Sequence, residues 1–421
     1  MKRYADYKNS GFDWIGEIPD GWNIGKVGFY YEVQLGKMLQ PQQISQDDTY
    51  ELYLCAVNID KNGLRLDTVK EMWFSKAEKE QYKLSIGDLL VVEGGDVGLS
   101  TIYNGEIDNC YIQNALHRVR AKHLATNEYL CYWLSFLKSI GYMDLVCNKA
   151  TIAHYTKDKF INSILLIPPF KEQQHIVEHL NQKTSAIDTL IADKQKLVDL
   201  LKEKRQAVIS EAVTKGLDKT AKMKESDIEW IGEVPDAWEV KKFKYTVDLI
   251  NVKVNISDET YIGLENIESY TGRHIITESN DIEGFSNAFN TGDILFGKLR
   301  PYLAKCIIAD FNGVCSSELL IFRNFTGDKR YLHRLLLSRG VLEVVNSSTY
   351  GSKMPRASWD FIGQLFIPMP DIEEQQAISD YLDTKTSAID SLITDITTQI
   401  EKLKEYRQSV ISEAVTGKVA I

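Results

Sequence analysis

No stretch of 18 consecutive apolar residues occurs in the chain, so no membrane-spanning helix is expected. The opening MKRYADYKNS lacks a hydrophobic segment and does not read as a secretory signal, which leads to the expectation of a cytoplasmic protein. Cysteine is scarce. Six occur, at 55, 110, 131, 147, 306 and 315, and none forms a C-x-x-C pair. Buried reduced thiols are expected, and neither a disulfide framework nor a thiolate zinc site. No G-x-x-x-x-G-K-[ST] loop is present, so no ATPase is indicated. Excess positive charge is also missing. The net charge of −10 argues weakly against nucleic acid as a partner, but residues 367–421 hold half of it, with 5 Lys/Arg against 10 Asp/Glu. The rest of the chain is close to neutral, and a basic face is possible there.

What the chain does contain is a partial copy of itself. KTSAID occurs at 183–188 and again at 385–390. EQQ (172–174, 374–376), RQ (205–206, 407–408) and SEAVT (210–214, 412–416) keep the same offset of 202. DWIGEIPDGW (13–22) opens the first half and EWIGEVPDAW (229–238) the second, at an offset of 216. Between these anchors the halves diverge. A conserved frame around divergent inserts suggests two similar modules that grip two different things. It also suggests a pseudo-twofold plan suited to a dyad-like partner such as duplex DNA.

Residues 170–214 and 372–416 read as two long helices. Pro168, Pro169 and Pro370 precede them, Gly216 and Gly417 follow them, and neither contains Gly or Pro. Each is about 45 residues, or roughly 65 Å. The apolar spacing predicts a heptad seam through Ile176, Leu180, Ile187, Leu190, Leu197 and Leu201, with Lys183, Lys194 and Lys204 also on it. In the second helix it runs through Ile378, Leu382, Ile389, Leu392, Ile396 and Leu403. Such a stripe needs a partner. Antiparallel self-pairing is the economical solution, and pairing with another subunit is the other. The seam lysines either snorkel or mark a docking place for an acidic surface.

The expected layout is 1–165 as a first module, 166–218 as a first helical region, 219–366 as a second module and 367–421 as a second helical region. The modules read as mixed α/β. Short β-rich runs such as 51–59, 87–94, 260–267 and 292–299 are followed by helical stretches at 127–140 and 330–345. Tyr53 to Asn58 matches Tyr261 to Asn266, and Gly87-Asp88 matches Gly292-Asp293. Turn formation is the expected role of Asp88 and Asp293. The paired Trp14/Trp230 and Trp22/Trp238 are expected to be packing anchors.

The two WIGE-PD-W motifs, the Gly-Asp-hydrophobic motif at 87–90 and 292–295, GKLRPYLAK at 297–305, SSELLIFR at 316–323 and the proline-EQQ helix starts together resemble the specificity subunit of type I restriction-modification systems. The resemblance covers nearly the whole chain. It implies two target-recognition domains, separated by two helical regions that form an antiparallel coiled coil. Each domain would read one half of a bipartite, asymmetric DNA site. It further implies double-stranded DNA as a partner, together with two modification subunits and restriction subunits. S-adenosylmethionine, ATP and Mg would be bound on those subunits and no cofactor on this chain. The subunit itself would be non-catalytic. A coiled-coil scaffold that joins proteins without reading DNA also fits divergent inserts on a common frame.

Catalytic motifs are poor. His175-Ile-Val-Glu178-His179 has the spacing of an inverted zinc protease, but the second copy has Ala377, Asp380 and Tyr381 there. Ile167-Pro168-Pro169-Phe170 lacks the polar first residue of an amino-methyltransferase loop, and no glycine-rich S-adenosylmethionine loop precedes it. Bases are read by polar side chains on loops and helix ends. In the first module these are Gly94, Gly95, Gln113, Asn114, Arg118, Asn148, Lys149, Thr151 and His154, with His117 and Arg120 nearby. In the second they are Lys298, Arg300, Tyr302, Ser316, Ser317, Tyr350, Gly351, Ser352, Lys353 and Arg356. A solvated loop is the competing reading for 350–356.

Overall fold

The computed structural model describes residues 3–61, 63–122, 124–147, 153–254, 260–276, 286–351 and 353–421. The chain divides into two compact units. One comprises Met1–Asp193 and Gln399–Ile421, the other Lys194–Thr398. Each long helix, Phe170–Lys215 and Ile372–Val415, contributes a segment to both. Among the described residues no helix is long and apolar enough to cross a membrane.

In the first unit a four-stranded antiparallel sheet has the order Ser100–Ile102, Leu89–Val92, Leu116–Ala121, Tyr31–Leu35. The central strand LLVV is buried throughout because the sheet is covered on both faces. Leu89 and Val91 point into the main core with helix Asn127–Ser139, while Leu90 and Val92 point into a smaller core under a second sheet. That second sheet joins Tyr111–Ile112, Thr49–Leu54 and Lys70–Phe74.

The second unit repeats the plan. Its sheet order is Asp248–Ile250, Leu319–Arg323, Ile294–Gly297, Cys306–Ile308. Ile294 and Phe296 face one core and Leu295 the other. The helical stretch expected at 330–345 is two helices, Lys329–Leu336 and Arg339–Ser347. Ser338 sits extended between them, and its hydroxyl donates to the Leu335 carbonyl oxygen at 2.6 Å. In both units the modules are mixed α/β, as expected.

Within each unit the two long helices pack antiparallel. Ile176 and Leu180, near the start of the first, share a core with Val410, Ile411, Ala414 and Val415 at the end of the second. In the other unit Ile209, Ala212 and Val213 share a core with Ile378 and Leu382. Both helices stop at a left-handed glycine, Gly216 (φ +71°) and Gly417 (φ +69°). The N-terminal arms pack on these stops. Trp22 and Trp238 are buried, and a Cβ at Gly417 would meet Pro19 at 2.3 Å.

Beyond Leu180 and Leu382 the seam departs from the predicted one at alternate positions. Ile176, Leu180, Ile187, Ile378, Leu382, Ile389 and Ile396 are buried, and Leu201 and Leu403 half-buried. Leu190, Leu197 and Leu392, expected in the seam, are exposed at 44%, 46% and 51%. Their neighbours Ile191, Val198 and Ile393 face inward instead. Lys183 and Lys204 are likewise outside, and Thr184 and Arg205 are buried. The cause is a local 11-residue repeat. From Gln173 the buried positions step to Ile176, Leu180 and Thr184, and from Gln375 to Ile378, Leu382 and Thr386. Two successive four-residue steps rotate the stripe by one position before heptads resume. Thr184 tolerates burial because its hydroxyl donates to the Leu180 carbonyl oxygen at 2.8 Å.

Candidate nucleic-acid interface

Two constructions are repeated beneath the candidate surface. The first is an aspartate after the turn glycine. Asp88 accepts Nε and Nη2 of Arg120 at 2.6 and 2.9 Å, and its carboxylate also accepts the Ser85 N–H at 2.8 Å. Asp293 accepts Nε and Nη2 of Arg323 at 2.8 and 2.6 Å, and the Asn290 N–H at 2.7 Å. Both aspartates therefore form a turn and a bidentate ion pair that ties two strands. The pairing is hidden in the sequence because the arginines lie some thirty residues downstream. The second construction is a buried asparagine. Asn58 accepts the Cys55 N–H at 2.9 Å and donates to the Arg65 carbonyl oxygen at 3.1 Å. Asn266 accepts the Gly263 N–H at 2.8 Å and donates to that of Ile275 at 3.1 Å.

On this common frame the backbone brings four short segments together. In the second unit Lys298 N–H donates to Glu318 O (3.0 Å), Ala357 N–H to Lys298 O (2.9 Å), Arg300 N–H to Pro355 O (2.8 Å) and Ser316 N–H to Ile262 O (3.0 Å). Lys298, Arg300, Ser316, Ser317, Tyr350 and Arg356 thus belong to one rim. Arg300, Ser317, Tyr350, Gly351 and Lys353 are exposed, as is Tyr302. Arg300 is held at φ +49°, unusual for a residue with a side chain. The side chains of Lys298, Arg300 and Lys353 make no ion pair or hydrogen bond among the described residues. Arg356 differs. Its guanidinium is clamped on Glu318 at 2.9 to 3.1 Å, so it shapes the rim.

The first unit builds the same rim from other residues. Glu93 N–H donates to Ala115 O (2.9 Å), Tyr155 N–H to Glu93 O (2.7 Å) and Gln113 N–H to Leu54 O (3.0 Å). Glu93 thus stands where the second unit has Lys298, Gln113 where it has Ser316, and His154 where it has Arg356. Gly94 bridges His154 as Leu299 bridges Arg356. His154 is exposed and meets Glu93 at 2.9 Å. Gln113 and Asn114 are half-buried and hydrogen-bonded to each other. Gly95, at φ +91°, takes the turn that Arg300 takes in the second unit.

Arg118 does not belong to this surface. It is 5% exposed and donates to the carbonyl oxygens of Gln81 and Lys83 at 2.9 and 2.8 Å, a structural role. Burial lowers its pKa from the ordinary value. It lies on the other inner strand of the sheet, Leu116–Ala121, and its side chain is covered there. His117 is fully buried against the Tyr155 carbonyl oxygen at 2.7 Å. Asn148, Lys149, Thr151 and Ser352 lie outside the described residues. Of the zinc-protease letters, His175 and Glu178 are exposed, and no group of metal-ligating side chains occurs among the described residues.

The repeated EQQ has a buried role that its spacing does not reveal. Gln173 and Gln375, the middle residues of EQQ, are buried. Gln173 accepts the Thr126 N–H at 3.2 Å and donates to the carbonyl oxygens of Leu124 and Pro168. Gln375 accepts the Asp328 N–H at 2.9 Å and donates to the Pro370 carbonyl oxygen at 2.8 Å. Thr126 and Asp328 cap the module helices. Each glutamine therefore bolts its module to the start of a long helix.

The family model described as the type I restriction modification DNA specificity domain matches residues 19–199 and 235–402. The EcoDI type I restriction enzyme specificity subunit of Escherichia coli is 22% identical over 96% of this chain and 90% of its own. The MjaVIII specificity subunit of Methanocaldococcus jannaschii is 24% identical over 96% and 94%. Among solved structures, a chain from a study of complex assembly and conformational transition of the type I R-M system aligns with a TM-score of 0.70. It is 16% identical over 96% of this chain and 99% of that one. The HsdS subunit of Thermoanaerobacter tengcongensis aligns at 0.50, with 15% identity over 98% and 100%.

Proposed function

The chain belongs to the family of type I restriction-modification DNA specificity proteins, and from that premise we propose that it is the sequence-reading subunit of such a system, each unit reading one half of a split, asymmetric duplex site. One observation carries the reading. The two units share their frame down to individual hydrogen bonds, yet at equivalent places on the rim they present different chemistry. Gln113, Gly95 and His154 stand in one unit where Ser316, Arg300 and Arg356 stand in the other. Two half-sites of different sequence call for such a pair of surfaces. Amides and hydroxyls suit base edges, and the unpaired Lys298, Arg300 and Lys353 suit phosphates.

In this reading the chain carries no chemistry of its own. Two modification subunits dock on the helical regions and bring S-adenosylmethionine. Restriction subunits bring ATP and Mg, and the complex works in the cytoplasm. The acidic charge of this chain is offset by those partners.

The test is DNA binding by the chain assembled with its modification subunit, measured by fluorescence anisotropy across a salt series. Arg300→Ala with Lys353→Ala weakens binding and lowers the slope of log K against log salt by roughly 0.9 for each phosphate no longer neutralised. Unchanged affinity and slope would remove these residues from the interface. Sequence-independent binding by the unaltered complex would favour a scaffold.

A further inference from the structure

From the geometry of the first unit we infer that the loop Met38–Gln46 is a preorganised base-reading finger, with Gln42 and Gln46 as specificity-determining residues. The inference rests on the DNA-reading function proposed above and adds a base-reading element to it.

The loop leaves the strand Tyr31–Leu35 and passes directly over the rim. Gly36 N–H donates to Leu116 O at 2.9 Å, Lys37 N–H to Ile112 O at 3.0 Å, and Asn114 N–H to Lys37 O at 2.8 Å. A Cβ at Gly36 would lie 2.3 Å from the Gln113 carbonyl oxygen, so glycine is required for this close approach. The root of the loop is therefore seated on Gln113 and Asn114.

Beyond the root, a buried polar lattice fixes the loop. Lys37 is 5% exposed and Asp48 7%. Lys37 Nζ donates to Gln40 Oε1 at 2.6 Å and pairs with Glu78. Gln40 Nε2 donates to the Gln42 carbonyl oxygen and to Asp48, each at 3.2 Å. Asp48 also accepts the N–H groups of Ile44 (3.1 Å) and Ser45 (3.0 Å). Trp73 N–H reaches the Gln40 carbonyl oxygen at 3.1 Å. A solvent-facing loop with no further role would not need a buried cation and a buried carboxylate inside it.

The lattice leaves a defined set of side chains outside. Met38 and Ile44 are 76% and 82% exposed, and Leu39 is exposed beside them. Gln42 and Gln46 are exposed, and their amides have no partner among the described residues. No lysine or arginine is exposed on the loop, so phosphate binding is not its task. A free amide can bond adenine bidentately, and an apolar side chain beside it can meet a thymine methyl. Ordering such groups in advance reduces the entropy cost of binding.

The test uses the full chain with its modification subunit. Gln42→Ala with Gln46→Ala is introduced, and methylated bases are mapped across a genome. The expected result is a split motif in which the half read by the first unit becomes degenerate at one or two positions and the other half is unchanged. In competition binding, the preference for the cognate duplex over one substituted at those positions falls roughly fivefold to hundredfold. Both substitutions are on exposed side chains, and an unchanged melting temperature shows the fold intact. A split motif left as it was, or weakened equally in both halves, overturns the finger. Absence of a split motif in the unaltered complex would instead overturn the DNA-reading function itself.

Discussion

Gln375 accepts the N–H of the capping residue Asp328, a half-buried bond, and donates to the carbonyl that precedes its own helix, a bond shielded from water. Gln375→Ala strands both groups, so the second unit loses roughly 1 to 3 kcal/mol. Urea unfolding of the full chain reads this, and an unchanged midpoint would contradict the bolt. His333 gives a pH prediction. Burial pulls its pKa down to about 4, and its Nε2 lies 2.9 Å from the Cys306 carbonyl oxygen. The folded state favours the neutral ring, so this stability is present above an unfolded value of about 6.5 and is lost as pH falls toward 4. The span corresponds to roughly 3 kcal/mol. His333→Gln should flatten stability against pH between 6.5 and 4; an identical slope would sink the assignment. The duplicated EQQ is legible as a motif. Its role is not, because the bonded N–H lies 47 residues away in each copy.

At the scale of elements, the sequence places the two long helices within a residue at each end, because proline starts and glycine stops are local signals. The seam is less legible. Leu190 and Ile191, Leu197 and Val198, Leu392 and Ile393 are adjacent apolar pairs, and periodicity alone does not choose between them. What chooses is polar. Asp188 and Asp390, the last residues of KTSAID, accept Arg407 and Arg205 of RQ from the opposite helix, with Nε at 2.8 Å in both cases. The repeated motifs are the two sides of one clamp, and only the antiparallel register brings them together. The clamps are not equal. The Arg205 side chain is 4% exposed and also donates to the Tyr270 carbonyl oxygen at 2.9 Å. Arg407 and Asp188 are 32% and 50% exposed. Arg205→Ala leaves the largely buried Asp390 with only the exposed Arg273, at 3.5 Å, to offset its charge and should cost roughly 3 to 5 kcal/mol. Arg407→Ala should cost no more than about 1 kcal/mol. Equal destabilisation in chemical denaturation would contradict this account.

Across the whole molecule, the duplicated anchors map to the frame and the divergent inserts to the rim. This is why the family is legible from the sequence while the build of the rim is only partly so. Frame residues repeat, and comparison of the two halves reveals them. Rim residues differ by the nature of their task, and their chemistry depends on who pairs with whom. Arg118 and Arg356 look like DNA ligands by residue type, yet one is walled in by backbone carbonyls and the other is clamped on Glu318. The loop Met38–Gln46 gives no signal of its own because its polar residues are uncharged up to Gln46. Whether each unit reads its half-site alone is decided by one exchange. Residues 219–366 are replaced by the matching insert of a relative, the chimera is co-expressed with the modification subunit, and methylated bases are mapped genome-wide. The expected result is a split motif in which one half changes and the other stays. An unchanged motif, or the absence of any split motif, would contradict it.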